Sequence, residues 1–167
     1  MDNCKSFNFI IDENSEILIL GSMPSVKSLS EKQYYAHPKN RFWKVMGLIC
    51  DYDLYNSSYE RKIEIILKNR FAIWDVIKTC KRKGSLDSNI QNEIPNEIDR
   101  LLEKYKNIKT IILNGNKAYQ AFKKYFPEIM DEYDCYKLPS TSPANAKFKL
   151  EDLYKIWHEA LNFRHFP

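Results

Sequence analysis

The chain has 167 residues, 44% of them hydrophobic, and this length and composition suit one core, so we expect residues 1–167 to form a single domain. No apolar run approaches the roughly 20 residues that span a bilayer, and the N-terminus lacks the layout of a signal peptide, which predicts a cytoplasmic protein with no membrane partner. The net charge of +4 is compatible with a polyanionic partner without requiring one.

Four short apolar runs predict β-strands, at residues 17–20, 71–74, 110–113 and, more weakly, 135–138. Their apolar residues are continuous rather than alternating, which is typical of a sheet covered on both faces. The first, third and fourth runs lead into loops of small or polar residues, and Asp75 follows the second.

Helical patterns lie between these strands. Ser57 and Glu60 have capping-box spacing ahead of apolar residues 63–67, and Asn96 can cap a helix that carries Ile98 and Leu102. Further helices are expected after Asn116 and over residues 150–161, whereas the polar stretch 80–95 is expected to be an extended loop or irregular crossover. Strands that alternate with helices predict a mostly parallel sheet between helices, with ligands at the carboxyl ends of the strands.

The cysteines are too widely spaced for a Cys-x-x-Cys metal site and too sparse for a secreted disulfide scaffold, so we expect reduced thiols, although distant cysteines can still meet in space. They are Cys4, Cys50, Cys80 and Cys135. Two groups of cations lie beside turn-rich segments, where they either reach a phosphate backbone or simply face solvent. They are the run Lys81-Arg82-Lys83 and the lysines Lys137, Lys147 and Lys149.

Three segments have the composition of a binding site. In 21–25 (GSMPS), the glycine allows a ligand to approach the backbone closely, and the serines supply hydrogen-bond donors. The sequence contains neither a dinucleotide-binding motif nor a P-loop motif. In 33–43 (QYYAHPKNRFW), aromatic rings can stack on an extruded base; alternatively Tyr34, Phe42 and Trp43 pack in the core and Asn40 caps a helix that begins near Arg41. In 140–145 (STSPAN), hydroxyls on a proline-stiffened turn either grip phosphates or form an ordinary surface loop.

Together with IWDV at 73–76, GSLDSNI at 84–90, LNGNKA at 113–118 and LPSTSPAN at 138–145, these segments resemble, in the same order, the uracil-DNA glycosylase superfamily, most closely its hypoxanthine-DNA glycosylase branch. The resemblance implies a three-layer α/β/α sandwich with a four-stranded, mostly parallel central sheet. It also implies hydrolysis of the N-glycosidic bond of a deaminated base in base excision repair, with no metal, no cofactor and no Schiff-base lysine.

The resemblance also implies which residues are catalytic. The polar residue that often handles water in the superfamily is replaced here by Met23, whose thioether is neither a base nor a good water ligand. The hypoxanthine branch implies Asn40 instead, which orients water or stabilises developing charge because an amide cannot act as a general base. His37 either donates to the base or holds its loop.

The expected base pocket and DNA-backbone contacts follow from the same segments. Asn114 reads the base or merely forms an Asn-Gly turn, and Asp75 accepts from a base N–H or from amides at a following helix N-terminus. The expected pocket residues are Gly21, Ser22, Met23, Tyr35, Phe42, Asp75 and Asn114. The expected backbone contacts are Ser22, Ser25, Ser140, Ser142 and Asn145.

The expected partner is double-stranded or single-stranded DNA that contains a deaminated base, bound by a monomer. Hypoxanthine and uracil are not separated by the sequence. Two other classes remain open: a nucleic-acid-binding protein that keeps the glycosylase shell without catalysis, and a flavodoxin-like small-molecule binder, since fold alone does not decide function.

Overall fold

The computed structural model describes residues 2–165, and side chains over 2–161. Within that range, the elements follow one another as β1 (Asp2–Lys5), β2 (Ile17–Gly21), α1 (Val26–Glu31), α2 (Phe42–Cys50), α3 (Tyr59–Lys68), β3 (Phe71–Asp75), β4 (Ile77–Arg82), β5 (Gln91–Pro95), α4 (Ile98–Lys104), β6 (Thr110–Asn114), α5 (Asn116–Tyr125), α6 (Pro127–Glu132), β7 (Asp134–Leu138) and α7 (Leu150–His165). A short 3-10 turn, Asp87–Asn89, lies between β4 and β5.

A four-stranded parallel sheet, in the order β3-β2-β6-β7, forms the centre of the fold. Its register places Gly21 opposite Asp75, and Asn114 opposite Leu138. The four strands predicted from apolar runs are confirmed, each extended by one residue at one end. All four carboxyl ends therefore meet at one edge of the sheet, the edge where ligands bind in folds of this kind.

Helices cover both faces of this sheet. Every residue of β2, β3 and β6 is buried, which requires apolar partners on each side because successive side chains in a strand point to opposite faces. Within one of the helical layers, α2 packs against α7. The rings of Phe42 and Trp157 meet edge to face there, with their centroids 6.2 Å apart. The predicted α/β/α fold class is confirmed.

A second sheet of three antiparallel strands, in the order β1-β4-β5, corrects the prediction that residues 80–95 form a loop. In β4 the buried residues Ile77, Cys80 and Arg82 are separated by the exposed Lys78 and Lys81, so no continuous apolar run marks the strand. In β5 most residues are exposed at an edge, which leaves little hydrophobic signal.

Two capping predictions are wrong, because each of the two side chains hydrogen-bonds to a different partner. The N-cap of α3 is Ser58, which accepts from the amide of Arg61, while Ser57 donates to the carbonyl of Asp53. Asn96 does not cap α4; its Nδ2 donates to the carbonyl of Asp75 at 2.8 Å and thereby fixes the end of β3.

All four cysteines are free, and Cys4 lies opposite Cys80 across the β1–β4 pair. Over the described range, none of the helices combines the length and the apolar character needed to cross a bilayer.

Candidate active site

A cleft of about 1260 Å³ opens at the carboxyl edge of the parallel sheet. The three segments with binding-site composition converge on it, because 21–25 follows β2, 138–145 follows β7, and 34–40 packs beside them. Two further segments complete its wall, residues 85–88 after β4 and residues 114–117 after β6. Residues as far apart in the chain as Gly21 and Phe148 therefore share one site.

The floor of the cleft is formed by Gly21 and Asp75, which face each other across β2 and β3. A Cβ atom on Gly21 would lie 2.8 Å from Oδ1 of Asp75 and 3.2 Å from the hydroxyl of Tyr35, so only glycine fits here. Asp75 is 3% exposed, and its Oδ2 has no hydrogen-bond partner among the described residues. Since a strand rather than a helix follows it, Asp75 does not cap a helix.

Asp75 belongs to a cluster of three ionisable groups beneath the 21–25 turn. Burial, together with the negative charge of Asp87, raises the pKa of Asp75 to about 8, and the positive charge of Arg82 opposes the shift. Asp87 Oδ1 accepts from the hydroxyl of Ser22 at 2.6 Å. Arg82 is 1% exposed and donates to the carbonyl of Pro24 at 2.6 Å, so the prediction that it reaches phosphate or solvent is wrong.

Tyr35 forms a wall of the cleft in a left-handed backbone conformation, with φ of 55°. Its ring stacks on Phe42, with centroids 3.8 Å apart and planes 14° apart. Phe42 has no exposed surface and lies behind Tyr35, so it supports the cleft without lining it, contrary to the expectation that it contacts a base. Met23 lines the cleft and is 6% exposed.

The Asn114 side chain ties the end of β6 to the loop after β7. Its Nδ2 donates to Thr141 Oγ1 at 3.1 Å and to the Tyr35 hydroxyl at 3.3 Å, and its Oδ1 accepts from the Thr141 amide at 3.1 Å. Both N–H groups are therefore engaged within the protein, and one lone pair on Oδ1 is left for a ligand. The Asn-Gly turn is also present, with Gly115 at φ of 98°.

Asn40 and His37 line the opposite side of the cleft. Asn40 Oδ1 accepts from the amide of Phe42, the first residue of α2, at 2.9 Å, but the N-cap position is Arg41, so Asn40 holds the start of this helix from one residue before the cap. Within the described residues its Nδ2 has no hydrogen-bond partner. His37 Nδ1 accepts from the amide of Lys39 at 3.1 Å, so the neutral ring carries its proton on Nε2.

Arg41, which sequence reasoning passed over, anchors the loop 141–148. Its guanidinium donates to the carbonyls of Ser142 at 2.7 Å and Asn145 at 3.0 Å, and also to that of Phe148. Its backbone amide adds a bond to the carbonyl of Thr141 at 3.0 Å. Carbonyl acceptors leave no trace in the sequence, so only the position of Arg41 between two site residues could have hinted at this role.

The serine hydroxyls expected to contact DNA differ in how far they are already engaged. Ser25 caps α1, since its Oγ accepts from the Ser28 amide and donates to the Ser28 hydroxyl. Ser140 and Ser142 each accept from a backbone amide, of Ser142 and Ala144 respectively, and each keeps its own proton to donate. Asn145 uses Nδ2 to hold the carbonyl of Ser140, which stiffens the loop.

Lysines surround the cleft, and the acidic groups that line it are confined to Asp75 and Asp87. One of these lysines, Lys117, forms a salt bridge with Glu93, with Nζ and Oε2 3.0 Å apart. Lys149 is exposed but lies outside the cleft. The lysines that line it are Lys39, Lys117, Lys137 and Lys147. This distribution suits a polyanionic ligand laid across the opening.

The described part of the chain contains no cluster of three or more His, Cys, Asp or Glu side chains that could hold a metal ion.

Comparison with known proteins identifies the family. Residues 8–161 match the model of the uracil DNA glycosylase superfamily. The chain belongs to the uracil DNA glycosylase superfamily. It is thus a DNA glycosylase, a hydrolase of N-glycosyl bonds, and the resemblance seen in its sequence segments is confirmed.

Two relatives and one solved structure support this placement. A hypoxanthine DNA glycosylase of Methanosarcina acetivorans is 39% identical over 145 residues, covering 86% of this chain and 89% of the relative. A hypoxanthine DNA glycosylase of Methanosarcina barkeri is 37% identical over 157 residues, covering 93% and 96%. A solution NMR structure from M. acetivorans, described as a uracil DNA glycosylase, superposes with a TM-score of 0.80 at 35% identity and covers 95% of this chain and 98% of its own.

Proposed function

We propose that this DNA glycosylase excises hypoxanthine, and more slowly uracil, from DNA as the first step of base excision repair. Its similarity to two proteins named hypoxanthine DNA glycosylase supports the choice of base. The observation that carries the proposal is the arrangement of the Asn40 side chain at the cleft. Its Oδ1 accepts from the first amide of α2, and its Nδ2 has no hydrogen-bond partner among the described residues. Met23, which also lines the cleft, offers no polar group.

The proposed role of Asn40 is electrostatic and positional. Cleavage of a glycosidic bond passes through an oxocarbenium-like state, so barrier lowering depends on charges and dipoles fixed around the sugar and the departing base. The bond from the Phe42 amide to Oδ1 fixes which end of the Asn40 amide is the donor. Nδ2 can therefore hold the attacking water or stabilise charge as the bond breaks.

The proposed base pocket lies between Tyr35, Met23 and the floor at Asp75, with Gly21 and Ser22 at its edge. The Tyr35 ring offers a stacking face, held rigid by Phe42 behind it. Asn114 contributes chiefly by fixing Tyr35 and Thr141, with one Oδ1 lone pair left for the base. His37 presents an Nε2–H that donates to the base or keeps the loop in place.

The proposed DNA contacts combine hydroxyl donors and lysines. Ser140 and Ser142 keep free protons for phosphate oxygens, and Ser22, Ser25 and Asn145 support the same rim. The lysines around the cleft attract the backbone of double-stranded or single-stranded DNA. We further propose a single-domain monomer that works in the cytoplasm.

An abasic-site assay tests this function. Labelled duplexes that carry one hypoxanthine, one uracil or no lesion are incubated with the protein in EDTA, then treated with alkali to break the strand at any abasic site. We expect breaks at hypoxanthine, fewer at uracil and none in the undamaged duplex. Binding to all three duplexes without breaks would instead identify a nucleic-acid-binding protein that lacks catalysis.

A further inference from the structure

Asp75, Asp87 and Arg82 interact through their charges, although Asp75 and Arg82 are buried and Asp87 is exposed. Asp75 is 3% exposed and Arg82 is 1% exposed. Nε and Nη1 of Arg82 and Oδ2 of Asp75 are buried without hydrogen-bond partners among the described residues. A charged Asp75 would be a buried carboxylate whose Oδ2 receives no hydrogen bond from the described residues, which is strongly unfavourable.

The geometry decides which carboxyl group takes the proton. Desolvation raises the pKa of Asp87 too, but the short hydrogen bond from Ser22 and the charges of Arg82 and Lys117 oppose that shift and favour its charged form. Oδ2 of Asp75, in contrast, is buried and receives no hydrogen bond from the described residues. A proton on Asp75 removes this buried negative charge and places a hydrogen-bond donor at the floor of the cleft.

We propose that Asp75 acts as a neutral carboxylic acid that donates a hydrogen bond from its carboxyl group to a carbonyl oxygen of the extruded base, so that the cleft accepts deaminated bases and rejects their parents. This inference rests on the proposed function. Asp87 is a positioning residue, because its charge helps to keep the proton on Asp75 against the opposing charge of Arg82.

The selection follows from what deamination changes. Hypoxanthine and uracil carry a carbonyl oxygen where adenine and cytosine carry an amino group, so an acceptor replaces a donor. A neutral acid offers a donor that matches the carbonyl and opposes the amino group, whereas a carboxylate would favour the undamaged base. A site built to hydrogen-bond one of two such groups can discriminate strongly, because the wrong partner leaves buried polar groups unpaired.

The electrostatic surroundings support this assignment. Burial and the charge of Asp87 raise the pKa of Asp75 to about 8, so the acid is mainly protonated at neutral pH. Burial, with a smaller contribution from Asp75 when it is charged, raises the pKa of the neighbouring tyrosines, which therefore stay neutral. The titratable groups that surround Asp75 are Tyr34, Tyr35, Tyr59, Arg82 and Asp87.

The test is a pH profile of single-turnover excision of hypoxanthine between pH 5.5 and 9.5. For the wild type we expect a rate that falls by about tenfold per pH unit once Asp75 ionises, near pH 8. Asp75→Asn keeps a neutral donor, so it should retain a measurable rate without that fall. Asp75→Ala has no donor and should be slower than Asp75→Asn at neutral pH by about 100-fold.

Asp87→Asn supplies the matched positioning variant. It keeps an acceptor for the Ser22 hydroxyl but removes the charge that raises the pKa of Asp75. The alkaline fall should therefore begin at lower pH than in the wild type. Titration of the substrate base would appear equally in Asp75→Asn, so only the difference between the two profiles counts.

Two results would overturn the inference while leaving the proposed function intact. One is a wild-type profile that superposes on that of Asp75→Asn; the other is a wild-type rate that rises as Asp75 ionises. Absence of excision at every pH would instead refute the proposed function. A second measurement is independent of activity. Carbon-13 NMR of the wild type, labelled at the aspartate carboxyl carbons, should show one carboxyl group that titrates near pH 8. If no carboxyl group titrates in that range, the proposal of a neutral Asp75 is refuted.

Discussion

At the residue scale, Asn40 shows how one side chain can serve the fold and the site together. Its Oδ1 accepts from the first amide of α2, and its Nδ2 is left at the cleft. The structural and the functional interpretations of this asparagine are therefore compatible, because they use different atoms. A substitution that changes Nδ2 but keeps Oδ1 can therefore test the catalytic role separately from the structural one.

We expect Asn40→Asp to keep the acceptor and lose the donor. Its unfolding free energy should stay within about 0.5 kcal/mol of the wild type, since aspartate accepts from amides at a helix N-terminus as well as asparagine does, while the single-turnover excision rate falls about 100-fold or more. Asn40→Ala should lose a similar factor in rate and also about 1 kcal/mol of stability. Urea unfolding and excision at saturating enzyme measure both, and an Asn40→Asp rate near the wild-type value would refute the role of Nδ2.

Asp75 also predicts a pH dependence of stability. Its pKa is raised to about 8 in the folded protein, against about 3.9 in an unfolded chain. Between these values the folded state holds the proton that the unfolded state has released, so the free energy of unfolding falls as pH rises across this window. Asp75→Asn cannot ionise and escapes the loss.

Thermal unfolding at pH 5, 6, 7 and 8 measures this effect. The difference in Tm between Asp75→Asn and the wild type should grow in favour of the variant as pH rises, because every other group titrates equally in both. Parallel Tm curves would show that the folded protein leaves the ionisation of Asp75 unperturbed.

At the element scale, the loop 141–148 has its shape set from outside by Arg41. The guanidinium donates to four carbonyls, those of Thr141, Ser142, Asn145 and Phe148, and Oδ1 of Asn114 accepts from the Thr141 amide. The loop is thus organised before DNA arrives, which lowers the ordering cost of binding.

Arg41→Lys should loosen this loop, because an ammonium group cannot reach four carbonyls in the fixed fork geometry of a guanidinium. We expect faster tryptic cleavage at Lys147 and at least about fivefold weaker binding of hypoxanthine DNA. Arg61→Lys, which alters an exposed arginine paired with Glu64 on α3, is the matched control and should change neither. Equal cleavage in both variants would refute the anchoring role.

The sequence predicted those elements whose signal lies in neighbouring residues. Continuous apolar runs identified the four strands of the parallel sheet, and their polar ends identified the cleft. The second sheet was missed because the buried positions of β4 alternate with lysines. The roles of Arg41 and Arg82 were missed because each depends on carbonyls or carboxyls brought near only by the folded chain.

At the scale of the whole molecule, the modest net charge of +4 conceals an uneven distribution. Four lysines line the cleft, whereas the two carboxyl groups among its lining residues lie beneath the 21–25 turn beside a buried arginine. The surface that meets DNA is therefore more basic than the average of the protein, and its affinity should depend strongly on salt.

Lys147→Ala should weaken DNA binding and lower the slope of log Kd against log salt concentration by about 0.9, the value for one lost phosphate contact. Lys68→Ala removes the same charge from an exposed site outside the cleft and should leave the slope unchanged. Fluorescence anisotropy from 50 to 300 mM salt measures both slopes. Identical slopes would mean that only net charge matters.

The most direct test of the central claim is to identify the products formed from hypoxanthine DNA in ¹⁸O-labelled water. We predict free hypoxanthine without the label, together with an abasic sugar that has gained one ¹⁸O at C1′ and an unbroken strand, because water attacks the sugar as the base departs. Asn40→Ala should form neither product at a comparable rate. An intact nucleotide, or a strand cut beside a base that is still attached, would contradict glycosylase action by this cleft.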